Sequence, residues 1–279
     1  MLKLFDTHAH LNLAEFSGDY EDVIAHSLES GVSMINVGVN YESSLRAVGI
    51  AGEYNSGVWA AVGLYPENIG GNQRLDGNNP QKPENIKEPE FDAKKYRALA
   101  QSSKKIVAIG ETGLDYLHLP KDEARAAAIR EKQADVFKQH LALAFDLNLP
   151  VIIHTRMAHK ETIEILREFA GSSGSVNGVI HCFTGNAEEM RQYRGLGLYF
   201  GINGIIFKLD LNEAIAQMPP DRILLETDCP FLSPLPEVKR NEPQFVLNVA
   251  ERVAQIRNDS VETIIEASTE NAKKLFGIS

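Results

Sequence analysis

Asp6-Thr7-His8-Ala9-His10 follows a short apolar run, Leu2 to Phe5. Side chains alternate along a strand, so His8 and His10 point the same way. Two imidazoles converging on one point are what a first-row divalent metal needs. An isolated His-x-His is weak evidence, because surface and core histidines pair by accident. Further candidate ligands recur downstream, each closing its own apolar run. Ile106–Gly110 leads into Glu111, Val151–Ile153 into His154, Gly178–Ile180 into His181, and Ile223–Leu225 into Glu226-Thr227-Asp228.

Six ligands exceed what one catalytic ion takes, since such sites keep an open position. The spacing is therefore read as two divalent ions sharing a carboxylate. Glu111 is the expected bridge, lying between two histidine groups. His8, His10, Glu111 and Asp228 are assigned to one ion, and Glu111, His154 and His181 to the other. Mixed imidazole and carboxylate ligation suits Zn or Mn, Fe or Co, and Mg at modest affinity. Asp228 is the expected proton acceptor, with Glu111 as its partner in catalysis. Glu226 and Asp6, each two residues before a ligand, are expected to support ligands from behind. Arg156, two residues past His154, is the expected contact for a substrate phosphate, ahead of Lys208, Lys239 and Arg240. His26 and His140 fall inside helical patterns and are read as surface or interhelical. His118 and His159 follow strand ends but stay outside the ligand set.

The elements that must place these residues alternate. Strand-like runs are Leu2–Asp6, Met34–Val39, Val58–Gly63, Ile106–Gly110, Val151–His154, Gly178–His181, Leu198–Ile202 and Arg222–Glu226. Amphipathic stretches between and after them include Tyr20–Ser30, Lys121–Leu147, Lys160–Ala170, Ala187–Leu196, Asn212–Gln217, Glu242–Arg257 and Ser260–Leu275. About eight such units imply parallel strands with right-handed crossovers. The expected fold is an α/β (β/α)8 TIM barrel, one domain over residues 1–279, whose strand ends meet at a single mouth. A doubly wound sheet would want a Gly-rich loop after its first strand, where this chain has histidines. Glu67–Pro89, rich in Asn, Gly and Pro, is read as a long mobile surface loop beside that mouth.

Of the 279 residues, 43% are hydrophobic, and no apolar run reaches membrane-spanning length. Lys3 and Asp6 break the N-terminal run, so no secretory leader is read and a cytoplasmic location is expected. Cys182 and Cys229 form no Cys-x-x-Cys motif and are read as packed small residues. The formal charge of −10 argues against sequence-independent coating of nucleic acid. It leaves room for an enzyme that grips a phosphate ester with metal ions and a few local cations.

The chain resembles the TatD-related metal-dependent deoxyribonucleases, within the amidohydrolase-like barrels. Asp6 through Leu11, Gly110-Glu111-Thr112-Gly113-Leu114-Asp115-Tyr116, Leu149 through Arg156 and His181-Cys182-Phe183-Thr184-Gly185 carry the resemblance. So do Leu225 through Pro230, Arg240-Asn241-Glu242-Pro243 and Asn271 through Phe276. The resemblance implies hydrolysis of phosphodiester bonds in DNA, single-stranded or at ends, by an exonuclease using metal-activated water. No membrane and no obligate protein partner enter this picture. Many members carry a Gly-x-His-Pro-His turn after the third strand. Here the segment is Gly63-Leu64-Tyr65-Pro66-Glu67, with Tyr65 and Glu67 at the histidine places. The alternative is an ester or amide hydrolase on the same barrel, for example an aminoacyl-tRNA deacylase.

Overall fold

The computed structural model describes residues 3–69 and 90–278. Eight strands run parallel in sequence order: β1 (Leu4–Ala9), β2 (Val32–Val37), β3 (Val58–Val62), β4 (Ile106–Asp115), β5 (Val151–Arg156), β6 (Gly178–Ile180), β7 (Tyr199–Ile202) and β8 (Ile223–Leu225). The sheet closes through an Ala9–Cys229 bridge. Around that seam the His10 amide donates to the Cys229 carbonyl at 2.9 Å, and the Asp228 amide to the His8 carbonyl at 2.8 Å. The expected TIM barrel is therefore what the chain forms.

Helices α1 (Tyr20–Glu29), α2 (Tyr41–Gly52), α3 (Ala93–Ala100), α4 (Glu123–Leu147), α5 (His159–Ser173), α6 (Ala187–Gly195), α7 (Asn212–Gln217), α8 (Val246–Arg257) and α9 (Val261–Phe276) accompany the strands. Local chemistry sets their ends. Asn40 and Ser43 form a reciprocal cap on α2, as do Asn186 and Glu189 on α6. Asp122 caps α4, which ends with Asn148 in the left-handed conformation. The apolar-run reading passes over α2 and α3. The Asn40 cap was the available signal for α2.

One apolar cluster gathers Phe5, Ile35, Ile152, Val179 and Leu224 with Leu275 and Phe276 of α9. The other strand face packs on the helices. Two positions beyond Ile152, Val179 and Leu224 stand His154, His181 and Glu226, on the same inward face. β1 reaches that face differently. Its register against β2 shifts between Asp6 and Ala9, so the inward phase passes from Phe5 to His8.

Two expectations need correction. Glu67 does not begin an exposed loop: Pro66–Asn68 is a buried 3₁₀ turn. The rest of that loop, residues 70–89, lies outside the described residues, and its expected mobility with it. His140 is not a surface residue; it lies between α4 and α3, its ring 6.0 Å from that of Tyr96. It is fully buried, accepts the Leu64 amide on Nε2 at 3.1 Å, and donates from Nδ1 to the Val136 carbonyl at 2.8 Å. Burial pushes its pKa down to about 3.

His140→Leu strands the buried Leu64 amide, at a cost of about 1–3 kcal/mol. The unfolded chain takes a proton on this histidine below about pH 6.5, whereas the fold keeps it neutral to about 3. Parental stability should therefore decline as pH falls through this window. Urea unfolding at pH 7.5 and 5 should show the variant less stable at the higher pH and less sensitive to acid.

Candidate metal centre

β1 delivers His8, the position just past it His10, β4 Glu111, β5 His154, the end of β6 His181, and the segment after β8 Asp228. All six line or border one cleft at the C-terminal ends of the strands, a cavity of about 480 Å³. Glu111 sits deeper than a strand end. β4 runs on to Asp115, and its register against β5 shifts between Ile109 and Thr112, around Glu111.

The two Glu111 oxygens face different histidines. Oε2 lies 3.4 Å from His8 Nε2 and 3.8 Å from His10 Nε2, while Oε1 lies 3.0 Å from His154 Nδ1 and 3.8 Å from His181 Nε2. Asp228 Oδ1 is 3.4 Å from His10 Nε2, 4.0 Å from His8 Nε2 and 3.8 Å from His181 Nε2. Among the described residues, groups whose ligand atoms lie within 4.8 Å of one another include His8–His10–Glu111 and Glu111–His154–His181.

The outer nitrogens select the tautomers. His10 Nδ1 donates to the Val37 carbonyl at 2.9 Å, freeing Nε2. His154 is turned round: its Nε2 donates to Asp115 Oδ2 at 2.9 Å, so Nδ1 faces the centre. His181 Nδ1 lies 2.9 Å from Glu226 Oε1, close but off the ideal N–H···O direction, so the contact is mainly electrostatic. His8 Nε2 and His10 Nε2 approach to 3.1 Å. Two nitrogen lone pairs so placed repel unless a cation or proton lies between them. His154 Nδ1 is buried without a hydrogen bond of its own. This donor set fits a divalent cation.

Charge says the same. Burial raises the Glu111 carboxyl, but His181, His154 and His8 outweigh it and hold Glu111 well below the usual carboxylate range. Burial likewise works against ionised Asp228, and His10, His181 and His8 reverse it. His181 is disfavoured as a cation by burial, yet Glu226, Glu111 and Asp228 lift its pKa to about 10. The carboxylates thus demand positive charge at the centre.

Support comes from behind, with one difference from expectation. Glu226 accepts the Cys182 amide at 2.8 Å and Asn203 Nδ2 at 3.0 Å, as well as facing His181. It fits only because residue 201 is glycine: a Cβ there would lie 2.2 Å from Glu226 Oε2. Asp6 touches no ligand imidazole. It accepts the His8 and Thr227 amides and bonds the Thr227 hydroxyl, tying β1 to the segment after β8, and burial pushes it up to about 8. The β1 register shift explains why its spacing misled.

Arg156 lines the cleft but is tethered. Its Nε donates to Asp115 Oδ2 at 2.7 Å and its Nη2 to Glu67 Oε1 at 2.8 Å. Tyr65 Oη donates to the same Asp115 oxygen at 3.2 Å. Burial raises the Asp115 carboxyl, but His154 and Arg156 hold it down at about 2. Asp115, Tyr65 and Glu67 escaped assignment from sequence. Asp115 lies four residues past Glu111, on the same strand face apart from the bulge, which was the available signal. His118 lines the cleft, and His159 bonds Tyr193 and Thr184.

Two outcomes follow from this geometry. A histidine with a pKa near 10 is protonated at pH 8, so a cation must displace its proton. Calorimetric titration with Mn²⁺ in buffers of different ionisation enthalpy should show net proton release at pH 8 that fades above pH 10; buffer-independent heats would contradict it. Gly201→Ala should force Glu226 aside and lower metal affinity about 10–100-fold in competition with a chelating dye. Its melting temperature should fall by several degrees as well, because the Cys182 amide and Asn203 lose a buried acceptor.

The comparisons with known proteins agree with the geometry. The TatD related DNase family profile matches residues 5–277. The chain is 37% identical to an uncharacterised metal-dependent hydrolase, YabD, of Bacillus subtilis, covering 99% of this chain and all of the relative. It is 33% identical to the 3'-5' ssDNA/RNA exonuclease TatD of Pantoea ananatis, over 99% of this chain and all of that one. The crystal structure of the TatD homologue YJJV of Escherichia coli K12 superposes with a TM-score of 0.82 at 26% identity, covering 100% of this chain and 99% of its own. This chain belongs to the TatD related DNase family, a family of metal-dependent hydrolases.

Proposed function

We propose that the centre holds two divalent ions bridged by Glu111 and that the protein hydrolyses phosphodiester bonds in single-stranded DNA or RNA from an end. His8, His10, Glu111 and Asp228 hold one ion, and Glu111, His154 and His181 the other; Mg, Mn or Zn fit these donors. The observation that carries the reading is the division of Glu111, with one oxygen turned to each histidine group. The exonuclease part draws on the printed activity of relatives such as the Pantoea ananatis protein.

Bound ions would supply an activated water and neutralise charge on the phosphoryl oxygens. The protein's own residues do the rest. Asp228 stays ionised at neutral pH and is the inner carboxylate most open to the cleft, its side chain 14% exposed against 3% for Glu111. It accepts the proton of the attacking water. Asp115 keeps His154 in the tautomer that turns Nδ1 inward, and Glu226 sets its negative charge against the outer nitrogen of His181. Arg156, oriented by Asp115 and Glu67, presents the rest of its guanidinium to a substrate phosphate.

The test is hydrolysis of a short single-stranded DNA by parent and variants, with metal content measured alongside. Glu111→Gln should lose metal from both sites and at least about 100-fold in rate. Asp228→Asn should keep more of its metal and lose about 10²–10⁴-fold in kcat. Parental activity that persists in chelator, or cleavage confined to carboxylic esters and amides, would overturn the assignment.

A further inference from the structure

The cleft has a second wall with different chemistry. Met157, Ile205, Leu209, Phe231 and Leu232 line the same cavity as Glu111 and the ligand histidines. They come from three separate segments: the turn after β5, the stretch after β7 and the stretch after β8. Met157 is 70% exposed and Leu209 47%, and what sets them apart from other exposed apolar side chains is that they share one cavity wall with three more.

The wall is built rather than incidental. Phe231 packs on the small apolar cluster of Leu13, Val39 and Tyr65, apart from the two main cores. Its ring lies 6.3 Å from the ring of His10, nearly edge-on, which sets the wall directly beside a ligand. Met157 and Leu232 occupy the left-handed region, at φ of 56° and 54°, which bulky side chains rarely adopt. The segments after β7 and β8 meet backbone to backbone: a Cβ on Gly204 would overlap the Leu232 carbonyl oxygen. Strain and close approach together hold an apolar surface open next to the metal centre.

The chemistry of these side chains indicates the occupant. None carries a hydrogen-bonding group beyond the Met157 sulfur, so they can cover a flat ring but cannot read its edge. The cavity, about 480 Å³, is of the size that takes a small organic ligand beside a phosphate. We propose that Met157, Ile205, Leu209, Phe231 and Leu232 form a stacking ledge for the nucleobase next to the scissile phosphodiester, selecting nucleotides without regard to base identity. The proposal rests on the phosphodiesterase reading above and adds what that reading lacks, a group that distinguishes a nucleotide from any other phosphate diester.

The test uses the Mn²⁺-loaded protein and two probes. One is the dinucleotide thymidylyl-thymidine, compared with analogues in which one nucleoside is replaced by tetrahydrofuran, and with adenine in place of thymine. The other is thymidine monophosphate against 2-deoxyribose 5-phosphate, read as dissociation constants. The ledge predicts that removing the base on one side raises KM, and weakens monophosphate binding, by about tenfold or more, while exchanging thymine for adenine changes either by no more than a few-fold. Met157→Ser/Leu209→Ser should raise KM for the full dinucleotide similarly, leave kcat near parental, and leave the base-less analogue unchanged. Equal constants with and without either base, or a variant that slows both substrates alike, would overturn the ledge. Base-dependent binding without hydrolysis would retain the ledge and remove the phosphodiesterase reading. Hydrolysis without base dependence would do the reverse.

Discussion

A buried carboxylate shared among four imidazoles is the constraint on which the rest of this structure depends. Glu111 is 2% exposed, and charge in such a place is tolerated only when it is paired. Its partners, His8, His10, His154 and His181, come from positions 8 to 181 of the chain. Only an architecture that brings strand ends to a common point can assemble them. The parallel barrel does so, and its apolar interior below the ligands keeps them dehydrated. With Asp228 and Glu226 added, negative charge exceeds what neutral imidazoles can balance. The centre is therefore stable either with protonated histidines or with bound cations.

Much of this was legible in the sequence, because each ligand closes an apolar run. In a parallel barrel the end of a run is the mouth, so residue type and position together located His8, His10, His154, His181 and Asp228. What escaped depended on pairing between strands. Asp115 matters because β4 continues past Gly110 and sets Gly113 opposite His154 and Asp115 opposite Arg156. The four-residue spacing from Glu111 to Asp115 hints at a shared face, but the pairing with β5 does not show in β4 alone. Asp6 supports the ligands through the His8 and Thr227 amides rather than through an imidazole, since an irregularity in β1 changes the phase between Phe5 and His8. His140 looked like one more residue of a long amphipathic helix. Its partner, the Leu64 amide, is 76 positions away in sequence.

The departures after β3 acquire a physical meaning. Tyr65 and Glu67 stand where many relatives are expected to carry histidines. Here the pair builds a polar brace instead: Tyr65 on Asp115, Glu67 on Arg156, and Arg156 back on Asp115. The brace immobilises the arginine while leaving it on the cleft wall. It also fixes the ring of His154, so that second ligand group is oriented by residues from three different segments. Among the described residues that line the cleft, Arg156 is the one arginine or lysine, held there by Asp115 and Glu67.

The central claim is that Glu111 bridges two ions. A crystal structure of the Mn²⁺-loaded protein with anomalous diffraction measures this directly. The account predicts two anomalous peaks about 3.5–4 Å apart, each bonded to a different oxygen of Glu111, with His8 and His10 on one and His154 and His181 on the other. A single peak at full metal loading, or two peaks with Glu111 bound to neither or to only one, would contradict it.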